Sequence, residues 1–95
     1  ADMSTQLEAA RLLTYKAAQM KDKGVKYSTE AAQAKLFASE VAGFCVNHAM
    51  QIHGGYGYIG EFSPIEKLYR DQRVIEIYEG TSEIQRLVIA AALLR

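Results

Sequence analysis

The sequence predicts an all-α chain, and three observations carry that prediction. Apolar residues recur at three- and four-residue steps over most of its 95 positions. Punctuation is concentrated: of seven glycines, five fall between Gly54 and Gly80. The one strand-like run, Val74 to Tyr78, is β-branched and aromatic but has no second such run to pair with. The expected architecture is a helical hairpin with two shorter helices packed on it, near residues 4–23, 29–53, 64–73 and 82–94, and no sheet.

The first helix is marked by Thr5 and Glu8 as a capping box and by an apolar stripe of Leu7, Ala10, Leu13, Ala17 and Met20. Lys21 and Lys23 suit its C-terminal end, and Gly24 stops it. Ser28 or Thr29 caps the second helix. On it Ala34, Phe37, Ala38, Val41, Cys45, His48 and Ile52 share a face, while Ala42, Phe44 and Val46 make other faces apolar. A helix apolar on most sides sits between neighbours. Gly54 to Gly60 ends it and forms a loop. Ser63, Pro64 and Glu66 start the third helix as N-cap, N1 and N3 residues. Val74 to Tyr78 then reads as a helix end plus an extended linker, and Ser82 with Gln85 caps the last helix.

Composition excludes several classes. Lys+Arg and Asp+Glu both number 11, so the net charge is zero, without the basic footprint of a nucleic-acid binder or a polybasic membrane patch. The longest apolar run, Leu87 to Leu94, is too short for a membrane span. A single cysteine, Cys45, makes no internal disulfide and is expected to be a buried, inert thiol. No signal-peptide pattern opens the sequence, so an intracellular protein is expected. His48 and His53, five apart on a helix, diverge by about 140° and share no metal.

Two stretches have functional readings. Gly55-Tyr56-Gly57-Tyr58-Ile59-Gly60 matches G-x-G-x-x-G, but a helix precedes it rather than a strand, which argues against a βαβ dinucleotide fold. A helix cap with a flexible turn, or backbone N–H groups open to a pyrophosphate, are the other readings. Glu76, Glu79 and Glu83 precede or open the last helix, where carboxylates are favoured by its dipole. Glu79 differs in sitting between Tyr78 and Gly80 in a linker; enclosed by apolar groups, such a carboxylate becomes a useful base.

Three ordered blocks carry a resemblance: Gln51-Ile52-His53-Gly54-Gly55-Tyr56-Gly57-Tyr58, Glu66-Lys67-Leu68-Tyr69-Arg70-Asp71 and Ile77-Tyr78-Glu79-Gly80-Thr81-Ser82-Glu83-Ile84-Gln85-Arg86. Together they resemble the C-terminal helical domain of the acyl-CoA dehydrogenases. The resemblance implies that residues 1–95 are a partial, four-helix-bundle-like domain, with room for the domain's first helix to be missing, from a protein about four times as long. It implies a flavoenzyme that oxidises an acyl-CoA to the trans-2-enoyl-CoA, a carboxylate removing the α-proton while the β-hydrogen leaves as hydride to FAD.

By matching position, Glu79 is the catalytic base of the short- and medium-chain types, with Tyr78 and Gly80 at the substrate. The resemblance also implies that Gln51, Ile52, His53, Gly54 and Gly55 contact FAD across a subunit interface and that Thr81, Ser82 and Glu83 make a second FAD contact. His53 stands where many relatives carry an apolar residue. The implied partners are the acyl-CoA substrate, an electron-transfer flavoprotein and further copies of the chain in a tetramer; the implied compartment is the mitochondrial matrix or bacterial cytoplasm. A self-associating helical module, or a CoA- or nucleotide-binding module without chemistry, are the competing readings.

Overall fold

Everything in the fold is arranged around one long helix. The computed structural model describes residues 1–95 and contains helices and turns only. The helices are α1 (Asp2–Asp22), α2 (Ser28–His53), the single turn α3 (Gly55–Tyr58), α4 (Ile65–Arg73) and α5 (Ser82–Leu93), with a 3-10 turn at Val74–Glu76. Helices α1 and α2 form the expected hairpin, and α4 and α5 pack on α2. The apolar girth of α2 is therefore explained by neighbours on several sides.

Small residues set the hairpin's closeness: Ala10 and Ala17 of α1 and Ala32, Ala34 and Val41 of α2 are buried. Gly24, at φ +70°, closes α1, with its N–H on Lys21 O and the Val25 N–H on Met20 O. That is the Schellman pairing, which satisfies two carbonyls at the helix end. At the other contact Gly43 lets α4 approach α2, since a Cβ there would sit 3.3 Å from Gln72 Oε1.

Several local expectations are corrected. Thr5 is not an N-cap: α1 begins at Asp2, the Thr5 hydroxyl donates back to Ala1 O, and Glu8 pairs with Arg11 instead. Back-bonding of this kind lets a hydroxyl residue stay inside a helix. Tyr27 rather than Ser28 or Thr29 precedes α2, with no side-chain cap. Pro64 rather than Ser63 stands at the N-cap of α4, so the start is one residue later than expected, although the Ser63 hydroxyl still accepts the Ile65 N–H at 3.1 Å. Thr81, not Ser82, caps α5, accepting the Ile84 N–H at 3.2 Å. Part of the Gly54–Gly60 loop winds into α3, and Val74–Tyr78 turns tightly instead of extending, with Ile77 in the helical region. Cys45 is half-buried rather than buried. On α2, His48 and Ile52 lie exposed at the far end, past the packed part of the face.

Gly57 has a steric reason to be glycine. A Cβ there would lie 2.9 Å from His53 Cβ and 3.2 Å from the Met50 carbonyl. Gly57→Ala is expected to destabilise the domain by about 1–3 kcal/mol in thermal unfolding, as overpacking does. Gly55→Ala, with open space around its Cβ position, is expected to be neutral. Equal stability of the two variants would contradict this packing.

The chain leaves much of itself uncovered. Its accessible surface is 6779 Å², against about 5,400 Å² for a compact monomer of its mass. The radius of gyration is 15.6 Å, against about 12 Å for a compact domain of this length. Leu12, Ile52, Leu87 and Leu94 are all more than half exposed. Exposed apolar side chains in this number favour association. Prepared alone, the chain should therefore self-associate, with a light-scattering mass above 10.5 kDa, and neither bind FAD firmly nor oxidise acyl-CoA. A monomer, or a yellow and active preparation, would contradict this.

Candidate functional site

The segment between the 3-10 turn and α5 is where the backbone departs most from helix. Glu79 has φ +55° and is the one non-glycine residue in the left-handed region; Gly80 follows at +92°. A left-handed residue with a Cβ costs about 1–3 kcal/mol, so surrounding structure must hold it. Two side chains do so. The half-buried Lys35 of α2 donates to the Gly80 carbonyl at 2.7 Å. Gln85 of α5 donates to the same carbonyl at 3.2 Å and reaches Glu79 O at 3.4 Å. The φ of Gly80 strains any side chain there, and a Cβ would also stand 2.5 Å from Gln85 Nε2 and push that amide off its bonds. The Tyr78 and Glu79 side chains project outward, exposed, rather than into an apolar enclosure supplied by this chain.

Immediately after the loop, the start of α5 presents unused donors. Thr81 caps Ile84, while the N–H groups of Ser82 and Glu83 have no acceptor in the chain. Ser82 is 7% exposed and its Oγ is buried without a hydrogen-bond partner. A hydroxyl and free N–H groups at the N-terminus of a twelve-residue helix form a donor set suited to phosphate. They border a recess of about 210 Å³ that also takes in Arg73 and Arg86. Both arginines are already paired, with Glu76 at 3.0 Å and Glu40 at 2.5 Å. The helix terminus, rather than net positive charge, is what the recess offers an anion.

Gln51, Ile52, His53, Gly54 and Gly55 lie elsewhere. All five are exposed at the end of α2. Lys35, beneath the Glu79 loop, and Gln51 are sixteen residues apart on one continuous helix, about 24 Å along its axis. The structure thus brings Tyr78, Glu79, Gly80, Thr81, Ser82 and Glu83 together and holds the Gln51–Gly55 group apart. The His53 ring bonds Ala49 O through Nδ1 at 2.9 Å, which leaves its other nitrogen facing outward. Gly54 adopts φ +64° with ψ −145°, a conformation open to glycine alone, and turns the chain from α2 into α3.

Sequence reasoning missed Lys35 and assigned Gln85 only to a cap. Neither lies in a motif of reactive residues, and the link between Lys35 and Gly80 spans 45 positions. The signal available was modest: a lone lysine on the apolar, alanine-rich α2.

Comparison with known proteins places this geometry. A family model described as the acyl-CoA dehydrogenase C-terminal domain matches residues 1–94. The whole chain aligns at 59% identity with 25% of a 3-(aryl)acrylate reductase from Clostridium sporogenes. It aligns at 58% identity with 23% of the mitochondrial short-chain specific acyl-CoA dehydrogenase of Bos taurus. It superposes in full on 24% of butyryl-CoA dehydrogenase from Megasphaera elsdenii, with a TM-score of 0.97 and 49% identity. The chain spans about a quarter of the length of these relatives, one mitochondrial and two from bacteria. A helical fold, a match over nearly every residue and about half or more of the side chains in common leave one conclusion: this chain belongs to the acyl-CoA dehydrogenase family, in the region of its C-terminal helical domain.

Proposed function

We propose that this chain is the C-terminal domain of an FAD-dependent enzyme that converts a short acyl-CoA to its trans-2-enoyl thioester, with Glu79 as the base. The observation that carries the reading is the Glu79-Gly80 loop, where an exposed carboxylate stands on a left-handed backbone held by two side chains. A carboxylate fixed in this way can take an α-proton onto one of its oxygens, provided the rest of the site excludes water. Tyr78 and Gly80 flank it and would line the thioester. FAD, when bound, supplies the acceptor for the β-hydrogen as hydride.

The residues present fit such a cofactor. The orphaned Ser82 Oγ and the free N–H groups of Ser82 and Glu83, beside Thr81, are donors without acceptors, as a phosphate group requires. The open backbone at Gly55 lets a ligand approach closely. The distance between the two groups supports a reading in which Gln51–Gly55 serve the flavin of a neighbouring subunit. The uncovered apolar surface agrees with an oligomer, here read as a tetramer, and with burial against other domains. An electron-transfer flavoprotein is the partner proposed for reoxidation, and the mitochondrial matrix or bacterial cytoplasm the compartment.

The relative named as a reductase favours a second reading, in which the same site runs toward the saturated acyl group. Glu79, protonated, would then give its proton to the α-carbon. Anaerobic mixing of a full-length enzyme carrying this domain separates the two. Flavin bleaching by butyryl-CoA outpacing reoxidation of the reduced enzyme by crotonyl-CoA supports the dehydrogenase; the reverse order supports the reductase. No reaction in either direction would contradict both.

A further inference from the structure

The loop presenting Glu79 is not held by its own backbone. The N–H groups of Glu79, Gly80 and Thr81 reach no backbone carbonyl, and the nearest such bonds are those of Ile77 and Tyr78 to Val74 O. What fixes the loop comes from two helices. Lys35 lies half-buried on α2 and takes part in none of the chain's ion pairs, although four of its five salt bridges join charges only three or four residues apart. Its ammonium is directed instead at one main-chain oxygen, Gly80 O, at 2.7 Å. A charge-assisted bond from a partly desolvated lysine is among the stronger single tethers available to a loop. Gln85 adds a second donor to that oxygen.

The geometry points to Lys35, seconded by Gln85, as the positioning residue for Glu79: by fixing the Gly80 carbonyl it keeps Glu79 in the left-handed conformation that aims its carboxylate. This rests on the reading of Glu79 as the base. Neither residue touches substrate or flavin in this proposal; both act through the peptide they hold. With the tether removed, Glu79 can relax to an ordinary backbone conformation, and a misplacement of about 1 Å at a reacting group costs on the order of a hundredfold in rate.

The test uses a full-length holoenzyme carrying this domain, with butyryl-CoA as the reductant in rapid mixing. Lys35→Met should slow flavin bleaching by roughly ten- to a hundredfold. Flavin content and the affinity for crotonyl-CoA should stay near the parent values. Lys35→Arg keeps a cationic donor and should recover most of the lost rate. On a Glu79→Gln background Lys35→Met should add almost nothing, because a residue acting only through Glu79 has nothing left to position. If Lys35→Met loses its flavin, Gln85→Leu replaces it and should slow bleaching several-fold with flavin retained. Parent-like bleaching in Lys35→Met or, where it is used, in Gln85→Leu overturns the tether, as does a full additional loss on the Glu79→Gln background or failure of Arg to rescue. Parent-like bleaching in Glu79→Gln itself would instead remove the base assignment, so the two failures are told apart.

Discussion

Glu79→Gln in a full-length flavoenzyme carrying this domain should lower the rate of flavin bleaching by saturating acyl-CoA at least about a hundredfold. Fold, flavin content and acyl-CoA affinity should remain. The competing account makes Glu79 one of several carboxylates favoured near the start of α5. Under that account the change costs about 0.3–1 kcal/mol of stability and little rate. The structure weakens the competitor: Glu79 lies three residues before Ser82, the first residue of α5, on a loop turned away from helical geometry. Glu83, inside the first turn, is the better dipole partner. Glu83→Gln should therefore show the small stability loss, and Glu79→Gln the large kinetic one.

Gly55→Val should strip flavin from the same protein. Around Gly55 there is open space where a Cβ would go, and its φ is not left-handed, so valine costs the chain itself little. Its adjacent Gly54 could not serve, because its φ of +64° would strain any substitute. Loss of flavin absorbance after gel filtration, with far-ultraviolet circular dichroism unchanged, is the expected result. Full flavin retention would remove the Gln51–Gly55 group from the cofactor site.

The helices were legible in the sequence because their signals are local. Periodic apolar residues, the Gly24 stop and the Ser63-Pro64 start need only neighbours a turn away. The caps were less secure. Thr81 and Ser82 are adjacent hydroxyl residues, and which of them caps α5 depends on how the preceding loop enters the helix. That loop could not be read locally. Val74 to Tyr78 has strand-like composition, yet without a partner strand it winds into a 3-10 turn. The carbonyl that follows the left-handed Glu79 is held in part by Lys35, a residue of another helix, and no local pattern announces that contact.

The candidate site divides in the same way. Its residue identities came from three motif blocks, whereas its geometry depends on contacts between α2 and α5. The apolar enclosure expected around Glu79 is not supplied by this chain, where Glu79 is exposed. In the proposed enzyme that enclosure has to come from other domains, consistent with the chain's excess surface.

The most direct test of the account is a crystal structure of a full-length holoenzyme carrying this domain, with a non-reacting acyl-CoA analogue bound. The account predicts a Glu79 carboxylate oxygen within about 3–3.5 Å of the analogue's α-carbon, the separation of a near-attack arrangement. It also predicts Gln51–Gly55 against a flavin held by a neighbouring subunit. Glu79 facing solvent, with another carboxylate at the α-carbon, would contradict it.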